Sequence, residues 1–469
     1  MAREEILQRG TFVSSQKALA RFVARPVLRF IQLEVASGIL LLVATAVALV
    51  WVNSPWHESY HDLWETTIVL EVGGLIEFSE SLEAFVNDGL MALFFFVVGL
   101  EIKRELVVGQ LSEGRAAALP AIAALGGMVV PALVFTAFNA GGEGSSGWGI
   151  PMATDIAFAL GVVALLGSRV HPRLKLFLLA LAIVDDIGAI AVIAVFYTDD
   201  LSLGWLPVAW LGLVAVVVLQ RFRVWSLTPY LAIGLVVWYA TLESGVHATI
   251  AGVLLGLLTP ARPLLGEDEA REMVPDLSEG ITVANANQVS FVAKESVSVA
   301  ERLEYALHPW TSYLVIPVFA LANAGIELSS EALSEAATSP LTIGVVLGLV
   351  VGKPVGIVGF TWVATRLGLR LPLGMGWPQF IGMGIVAGIG FTVSIFIAGL
   401  AFTDEVLRDD AKIGILAGSA IAAVVGLVIL RITSRGPAVS EEELAEQMND
   451  ELDGPDDDRY PPVESSARS

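Results

Sequence analysis

The chain has 469 residues, of which 55% are hydrophobic and only 16% charged, and its mean hydropathy is +0.72. Soluble domains carry about 25% charged residues, so the composition excludes an ordinary soluble globule and predicts an integral membrane protein. A net charge of −21 without basic patches excludes a nucleic-acid partner, and the lack of cysteine excludes disulfides and thiolate metal sites.

The chain opens on a basic segment, 1–30, carrying Arg3, Arg9, Lys17, Arg21, Arg25 and Arg29. No compact apolar core precedes a small-residue cleavage site there, so a cytoplasmic N-terminus is expected rather than a cleaved signal peptide. A membrane-spanning helix needs about 20 apolar residues, fewer where it is broken. Twelve stretches qualify, centred near Leu42, Phe95, Ala123, Phe158, Val184, Leu213, Val236, Val253, Pro317, Val351, Gly388 and Ala422. They predict an all-α membrane domain over residues 31–433.

Loop charges test that count, because Lys and Arg favour the cytoplasmic side. The connection 54–85 is acidic until the second stretch begins, and Lys103, Arg104 and Arg115 follow that stretch. The next connections alternate in the same way: none at 139–147, then Arg169, Arg173 and Lys175, then Asp199-Asp200, then Arg221 and Arg223. Glu243, the segment with Arg262, Arg271, Lys294 and Arg302, then 327–335, then Arg366 and Arg370 continue the series, and Arg431 and Arg435 close it. Twelve spans with both ends cytoplasmic, in a bacterial inner membrane, satisfy the alternation at nearly every crossing. Trp51, Trp205, Trp225, Trp310 and Trp377 lie near the expected ends, as an interfacial belt does.

Three polar segments lie outside the spans. In the external loop 54–85, β-prone runs flank Gly73-Gly74, which predicts a hairpin whose edge offers a homodimer contact. An ordinary connecting loop is the alternative. Residues 260–303 form an acidic cytoplasmic loop with a helix expected in 296–307. The tail 434–469 carries eleven acidic and three basic residues, a net of −8, and its low apolar content predicts disorder.

Four polar features interrupt the apolar stretches. Thr154-Asp155 follows Pro151, which removes a backbone donor, so the segment reads as a discontinuous helix whose freed carbonyls suit a hard cation. The bland alternative is Asp155 as the N-cap of a continuous helix. Asp185-Asp186 lies inside the run 178–192, where each carboxylate costs roughly 2.5–3.5 kcal/mol on insertion scales. Adjacent carboxylates also repel, so one tends to hold a proton that the other loses. Side chains next to each other on a helix point about 100° apart, so the two cannot serve one small site alike. Lys353, between Gly352 and Pro354, needs a carboxylate partner unless it snorkels to an interface. One aspartate would pair with it and the other would bind an ion. The glycines of 384–390 suggest a second broken helix, with helix packing through small residues as the alternative. Two interrupted spans in corresponding halves point to a transport site at the bilayer midplane.

With these residues the chain resembles the NhaA family of sodium/proton antiporters. The matching strings are 88–106, Ala153-Thr154-Asp155-Ile156-Ala157-Phe158, 184–190, 244–252, Leu307-His308-Pro309-Trp310, Ala322-Asn323-Ala324-Gly325, Gly352-Lys353-Pro354 and 388–396, in family order over roughly residues 30–433. The resemblance implies inverted-topology repeats, spans three to five against ten to twelve, with spans four and eleven unwound and crossing. It implies Asp186 as the main ligand of a transported Na+ or Li+, and Asp185 as the partner of Lys353 and a proton-exchanging group. It places Thr154 and Asp155 at the crossing and Asp88 on the ion path. Glu101, Glu105, Lys103, His247 and Glu304 correspond to pH-responsive positions. For the charged helix end and His247 the alternatives are a solvated end and a packed or capping histidine. No cofactor and no enzymatic chemistry are expected. The acidic loop and tail have no obvious family counterpart. Two rivals remain: a retinal-type pump with Lys353 as the Schiff base, disfavoured by span count, and a cation channel with broken helices.

Overall fold

Helices account for most of the chain, in a computed structural model that describes residues 36–72, 76–112, 114–198, 202–222, 224, 227–274, 282–371 and 375–434. The basic segment 1–30, Gly73-Gly74, Asp199-Asp200, Arg223, Trp225 and all of the acidic tail except Ser434 lie outside the described residues.

In chain order the elements begin with α1 (Ala36–Val52), α2 (His57–Glu65), strands β1 (Thr67–Val72) and β2 (Ile76–Ser81), and α3 (Leu82–Val107). Next come α4 (Gly114–Asn139), the tightly wound α5 (Glu143–Met152), α6 (Ile156–Ala164), α7 (Pro172–Phe196), α8 (Leu206–Arg221), α9 (Leu227–Leu242) and α10 (Ala248–Leu258). Then follow α11 (Glu267–Met273), α12 (Val283–Glu295), α13 (299–323), α14 (Ser330–Thr338), α15 (Pro340–Arg366), α16 (Trp377–Val386), α17 (Phe391–Ala401) and α18 (Glu405–Thr433).

Among the described residues five helices are long and apolar enough to cross a membrane: α3, α4 from Ala117, α7, α15 and α18. The number reaches eight if each of three bent pairs is one span, and α8, α9 and α10 are shorter apolar helices. Two of the bent pairs are the interrupted segments the sequence singled out: α5 and α6 meet at 47°, and α16 and α17 at 44°. Eleven of the twelve expected centres fall on helices, and the twelfth, Gly388, falls in the break between α16 and α17.

The segment between α1 and α3 holds the expected antiparallel pair and one helix more. β1 and β2 pair antiparallel from Thr67↔Ser81 to Val72↔Ile76. Ahead of them stands α2, a nine-residue amphipathic helix that buries Tyr60 and Trp64. The Tyr60 hydroxyl shares its one hydrogen between the carbonyls of Leu321 (2.8 Å) and Ala322 (2.9 Å), at the end of α13. These are orphan acceptors of a helix C-terminus. At the opposite end, the described residues of 260–303 include α11, α12 and the start of α13, where Ser298 caps by accepting from the Glu301 amide at 3.2 Å.

Backbone contact between α4 and α15 shapes the centre of the molecule. Gly344, Gly348, Gly352 and Gly356 recur every four residues along α15 and form one stripe. A Cβ at Gly352 would stand 2.7 Å from the Pro131 Cα, and one at Gly356 would run into the Gly126 carbonyl. Only glycine permits so close an approach, which sets Lys353, on the neighbouring face of α15, deep between the helices. A π-helical turn, 348–352, immediately precedes Lys353-Pro354. Pro354 has no N–H for the regular ladder, and a wider turn accommodates that loss. Similar turns occupy 86–90, which contains Asp88, and 311–315, between Pro309 and Pro317.

Candidate functional site

The two broken helices meet through one carboxylate. Asp155 is the N-cap of α6, and its Oδ1 accepts from the Phe158 amide at 2.9 Å. Its Oδ2 reaches the start of α17, accepting from the Thr392 amide at 3.1 Å and the Thr392 hydroxyl at 2.7 Å. Its own amide donates to the Ile389 carbonyl at 2.7 Å. Two helix N-termini, each with unsatisfied N–H groups and a partial positive charge, thus share one anion. The capping reading of Asp155 therefore holds for α6, but the helix it caps is the second half of a broken one.

The C-terminal ends of the first halves receive donors. Lys353 Nζ donates to the Met152 carbonyl at the end of α5, and Ser394 Oγ donates to the Ile150 carbonyl at 2.7 Å. Thr154 Oγ1 lies 3.0 Å from the Ala387 carbonyl, just past α16. Each of these polar groups is buried, so these bonds remove the penalty of orphaned backbone in an apolar interior.

The aspartate pair sits against this junction, midway along α7. Asp185 is fully buried, and its Oδ2 lies 2.8 Å from Lys353 Nζ and 2.7 Å from Thr154 Oγ1. Its Oδ1 is buried without a hydrogen-bond partner among the described residues. Lys353 is therefore no snorkelling residue: it is fully buried and paired with Asp185. Asp186 is 5% exposed, and among the described residues no donor reaches its carboxylate. It lies within electrostatic reach of Asp185, Glu101, Lys353 and Asp155. One carboxylate is therefore matched by a lysine and a threonine, while its neighbour is buried and unmatched. Such a group needs a proton or a cation.

The remaining singled-out residues divide between the two ends of α3. Asp88 lies in the first turns, near the hairpin, where its carbonyl accepts from Trp238 Nε1 at 2.7 Å. Next to it Asn87 and Asn323 exchange side-chain amide bonds of 3.2 and 2.8 Å. Glu101, Lys103 and Glu105 lie toward the other end. There Arg104 reaches Glu304, at the beginning of α13, at 2.7 Å, and Glu105 at 3.7 Å. Burial pushes the Glu304 carboxyl above the usual carboxylate range, opposed by Arg104 and reinforced by Glu301 and Glu105. His247 occupies the N-cap position of α10 but makes no side-chain cap; its Nε2 lies 2.5 Å from the Tyr197 carbonyl at the end of α7. The structure thus gathers Thr154, Asp155, Asp185, Asp186 and Lys353 into one cluster, extends it toward Glu101, and leaves Asp88, His247 and Glu304 apart from it.

Thr392 and Ser394 belong to the junction but were not singled out as site residues. Their signal was two hydroxyls at i and i+2 inside the apolar string 388–396. The Met152 and Ala387 carbonyls carry no side-chain signal at all.

A buried, lysine-matched aspartate beside an unmatched one, at the junction of two broken helices, defines a membrane transport protein of the broken-helix class. The sequence matches the family model described as Na+/H+ antiporter 1 over residues 28–430, and the chain belongs to that family, the NhaA antiporters. Similar proteins include "Na(+)/H(+) antiporter NhaA 2" of Myxococcus xanthus, 49% identical over 88% of this chain and 90% of the relative. A protein of the same name from Sorangium cellulosum is 48% identical over 91% and 93%. "Na(+)/H(+) antiporter NhaA" of Rhodopirellula baltica is 47% identical over 88% and 95%.

Proposed function

We propose that the protein exchanges cytoplasmic Na+ or Li+ for external H+ across a bacterial inner membrane, serving sodium and pH homeostasis. One observation carries this reading: Asp186 is buried beside Asp185 with no donor on its carboxylate among the described residues, while Asp185 is held by Lys353 and Thr154. Family membership and the names of the relatives agree with it.

The mechanism follows from competition at one site. A cation binds only when Asp186 is deprotonated, and protonation expels it, so the two ions never cross together. As the cation enters, Asp185 gives up its contact with Lys353, and the unpaired lysine releases a second proton to the side from which the cation came. When two protons move against one cation, the cycle carries net charge and responds to membrane voltage. Access alternates between the two sides as the bundle around the crossing moves. Alkaline pH activates the cycle by removing the competing proton.

The proposed membrane fold has twelve spans with both termini in the cytoplasm. It counts the eight from long helices and bent pairs, the three shorter apolar helices, and α13. Spans three to five and ten to twelve form the inverted repeat, and the β1–β2 hairpin joins two copies of the chain. Residues 1–30, the acidic loop 260–303 and the tail 434–469 are assigned to the cytoplasm.

The test is dequenching of a pH-gradient dye in everted vesicles, with Na+, Li+ or K+ added across a pH series. Asp186→Asn should abolish the Na+ response while leaving the K+ baseline unchanged. Full retained exchange removes Asp186 from the site, and conductance without coupled proton movement converts the reading to a channel.

A further inference from the structure

The first half of the first broken helix is an unusual piece of backbone. Residues Glu143–Met152 wind as a ten-residue 3₁₀ helix, whereas runs beyond three or four residues are uncommon because the hydrogen bonds are poorly aligned. Something outside the segment must hold it, since its last carbonyls, Ile150 and Met152, receive Ser394 and Lys353. Tyr197 supplies that support from the end of the aspartate-bearing helix α7. Its hydroxyl donates to the Ser146 carbonyl at 2.7 Å and accepts from the Gly149 amide at 3.2 Å. Its ring stacks on Trp148, with centroids 6.5 Å apart and planes 24° apart. A Cβ at residue 149 would stand only 2.8 Å from the hydroxyl, so the glycine keeps that approach open. The Tyr197 backbone is itself tethered, its carbonyl meeting His247 Nε2 at 2.5 Å.

We infer that Tyr197 is a positioning residue for the ion site: its hydroxyl clamps the 3₁₀ half-helix so that the Met152 carbonyl and Thr154 face Lys353 and Asp185. Tyr197 is eleven residues past Asp186, about 16 Å along a helix, so it does not touch the ion. It acts through α5. When the clamp is removed, the half-helix relaxes toward a wider winding, its C-terminal end shifts, and the Lys353–Asp185–Thr154 contacts loosen. Cation binding then weakens more than turnover slows. The inference rests on the exchange reading above and deepens it.

The experiment uses the full chain in proteoliposomes, with Na+-driven proton movement followed over a range of Na+. Tyr197→Phe removes both hydrogen bonds of the hydroxyl and should raise the KM for Na+ about three- to tenfold, with the maximal rate kept within about twofold. Gly149→Ala, which displaces the hydroxyl, should do the same. The double variant should be no worse than the worse single one. Hydrogen exchange of the detergent-solubilised protein provides a readout independent of transport: Tyr197→Phe should accelerate exchange within 143–152. Unchanged exchange there overturns the inference, whatever the transport result. An unchanged KM, or a fall in rate matched by a general loss of thermal stability, overturns it as well. Failure of the natural chain to move protons on Na+ addition sinks the exchange reading instead, while the hydrogen-exchange comparison still decides the clamp.

Discussion

Asp185 and Lys353 are a buried ion pair whose partners are held by further bonds to Thr154 and Met152. Removing one member of such a pair strands the other charge, at about 3–5 kcal/mol. Lys353→Met should therefore lower the thermal unfolding midpoint sharply, whereas Asp185→Asn/Lys353→Met should recover most of it, since the asparagine still accepts from Thr154. A midpoint for Lys353→Met equal to that of the natural chain contradicts the pairing. The double variant should nevertheless fail in Na+-coupled proton movement, because stability and ion exchange use the same atoms for different ends. At this scale much was legible beforehand. Two carboxylates and a lysine in apolar runs are expensive, and expense marks them. Spacing alone did not say which aspartate meets Lys353, because both lie within one helical turn. That division came from family resemblance, and the 2.8 Å contact to Asp185 now stands beside it.

At the scale of elements, the α4–α15 contact is backbone against backbone. Gly356→Ala should cost about 1–3 kcal/mol through overpacking, because the new methyl meets the Gly126 carbonyl. Gly359, on the same helix, has nothing within 4 Å of a built Cβ. Gly359→Ala should instead be neutral or stabilise by up to about 1 kcal/mol. Thermal midpoints of the two variants should thus move in opposite directions, and a shared direction would mean that helix propensity rather than contact governs this stripe. The breaks in both half-helix pairs were readable from Pro151 and from the glycines of 384–390, since missing donors and missing side chains are local facts. The union of the halves was not. Asp155 reaches Thr392 across 237 positions, and no periodicity reports such a pairing. Helix α2 escaped for a different reason: nine residues with two buried aromatics give too short an amphipathic signal inside a polar loop.

Across the whole molecule, the Arg104–Glu304 contact joins α3 to α13 at the end opposite the hairpin. Burial raises the Glu304 carboxyl, so it stays protonated further up the pH scale and becomes a full ionic partner of Arg104 only as pH rises. The linkage sign is that of a carboxyl raised in the folded state. Its contribution to stability is present at acid pH and is lost as pH climbs through the folded value. Glu304→Gln should gain stability relative to the natural chain as pH rises through the titration of Glu304. It should also flatten the pH dependence of exchange in vesicles. A pH–activity curve superimposable on that of the natural chain removes Glu304 from pH response. The membrane class was written in the composition, and the proposed orientation of the spans rests on the alternation of loop charges. How the spans fold back on one another was beyond composition, because it depends on glycine stripes and buried polar bonds between segments far apart in the chain.

Thr154 has a single hydroxyl hydrogen and two acceptors within reach, the Asp185 carboxylate at 2.7 Å and the Ala387 carbonyl at 3.0 Å. A single hydrogen cannot serve both fully, so the choice is exclusive. While Asp185 is negative it holds the stronger claim, and the Ala387 carbonyl receives the weaker share of the hydrogen. Once a proton or a cation satisfies Asp185, that hydrogen is free to turn toward Ala387. The state of Asp185, on α7, is thereby relayed to the break between α16 and α17 by the rotation of a single bond. A valine at 154, similar in shape but unable to turn a hydrogen either way, would cut that relay and leave Asp155 and Ser394 to join the two breaks.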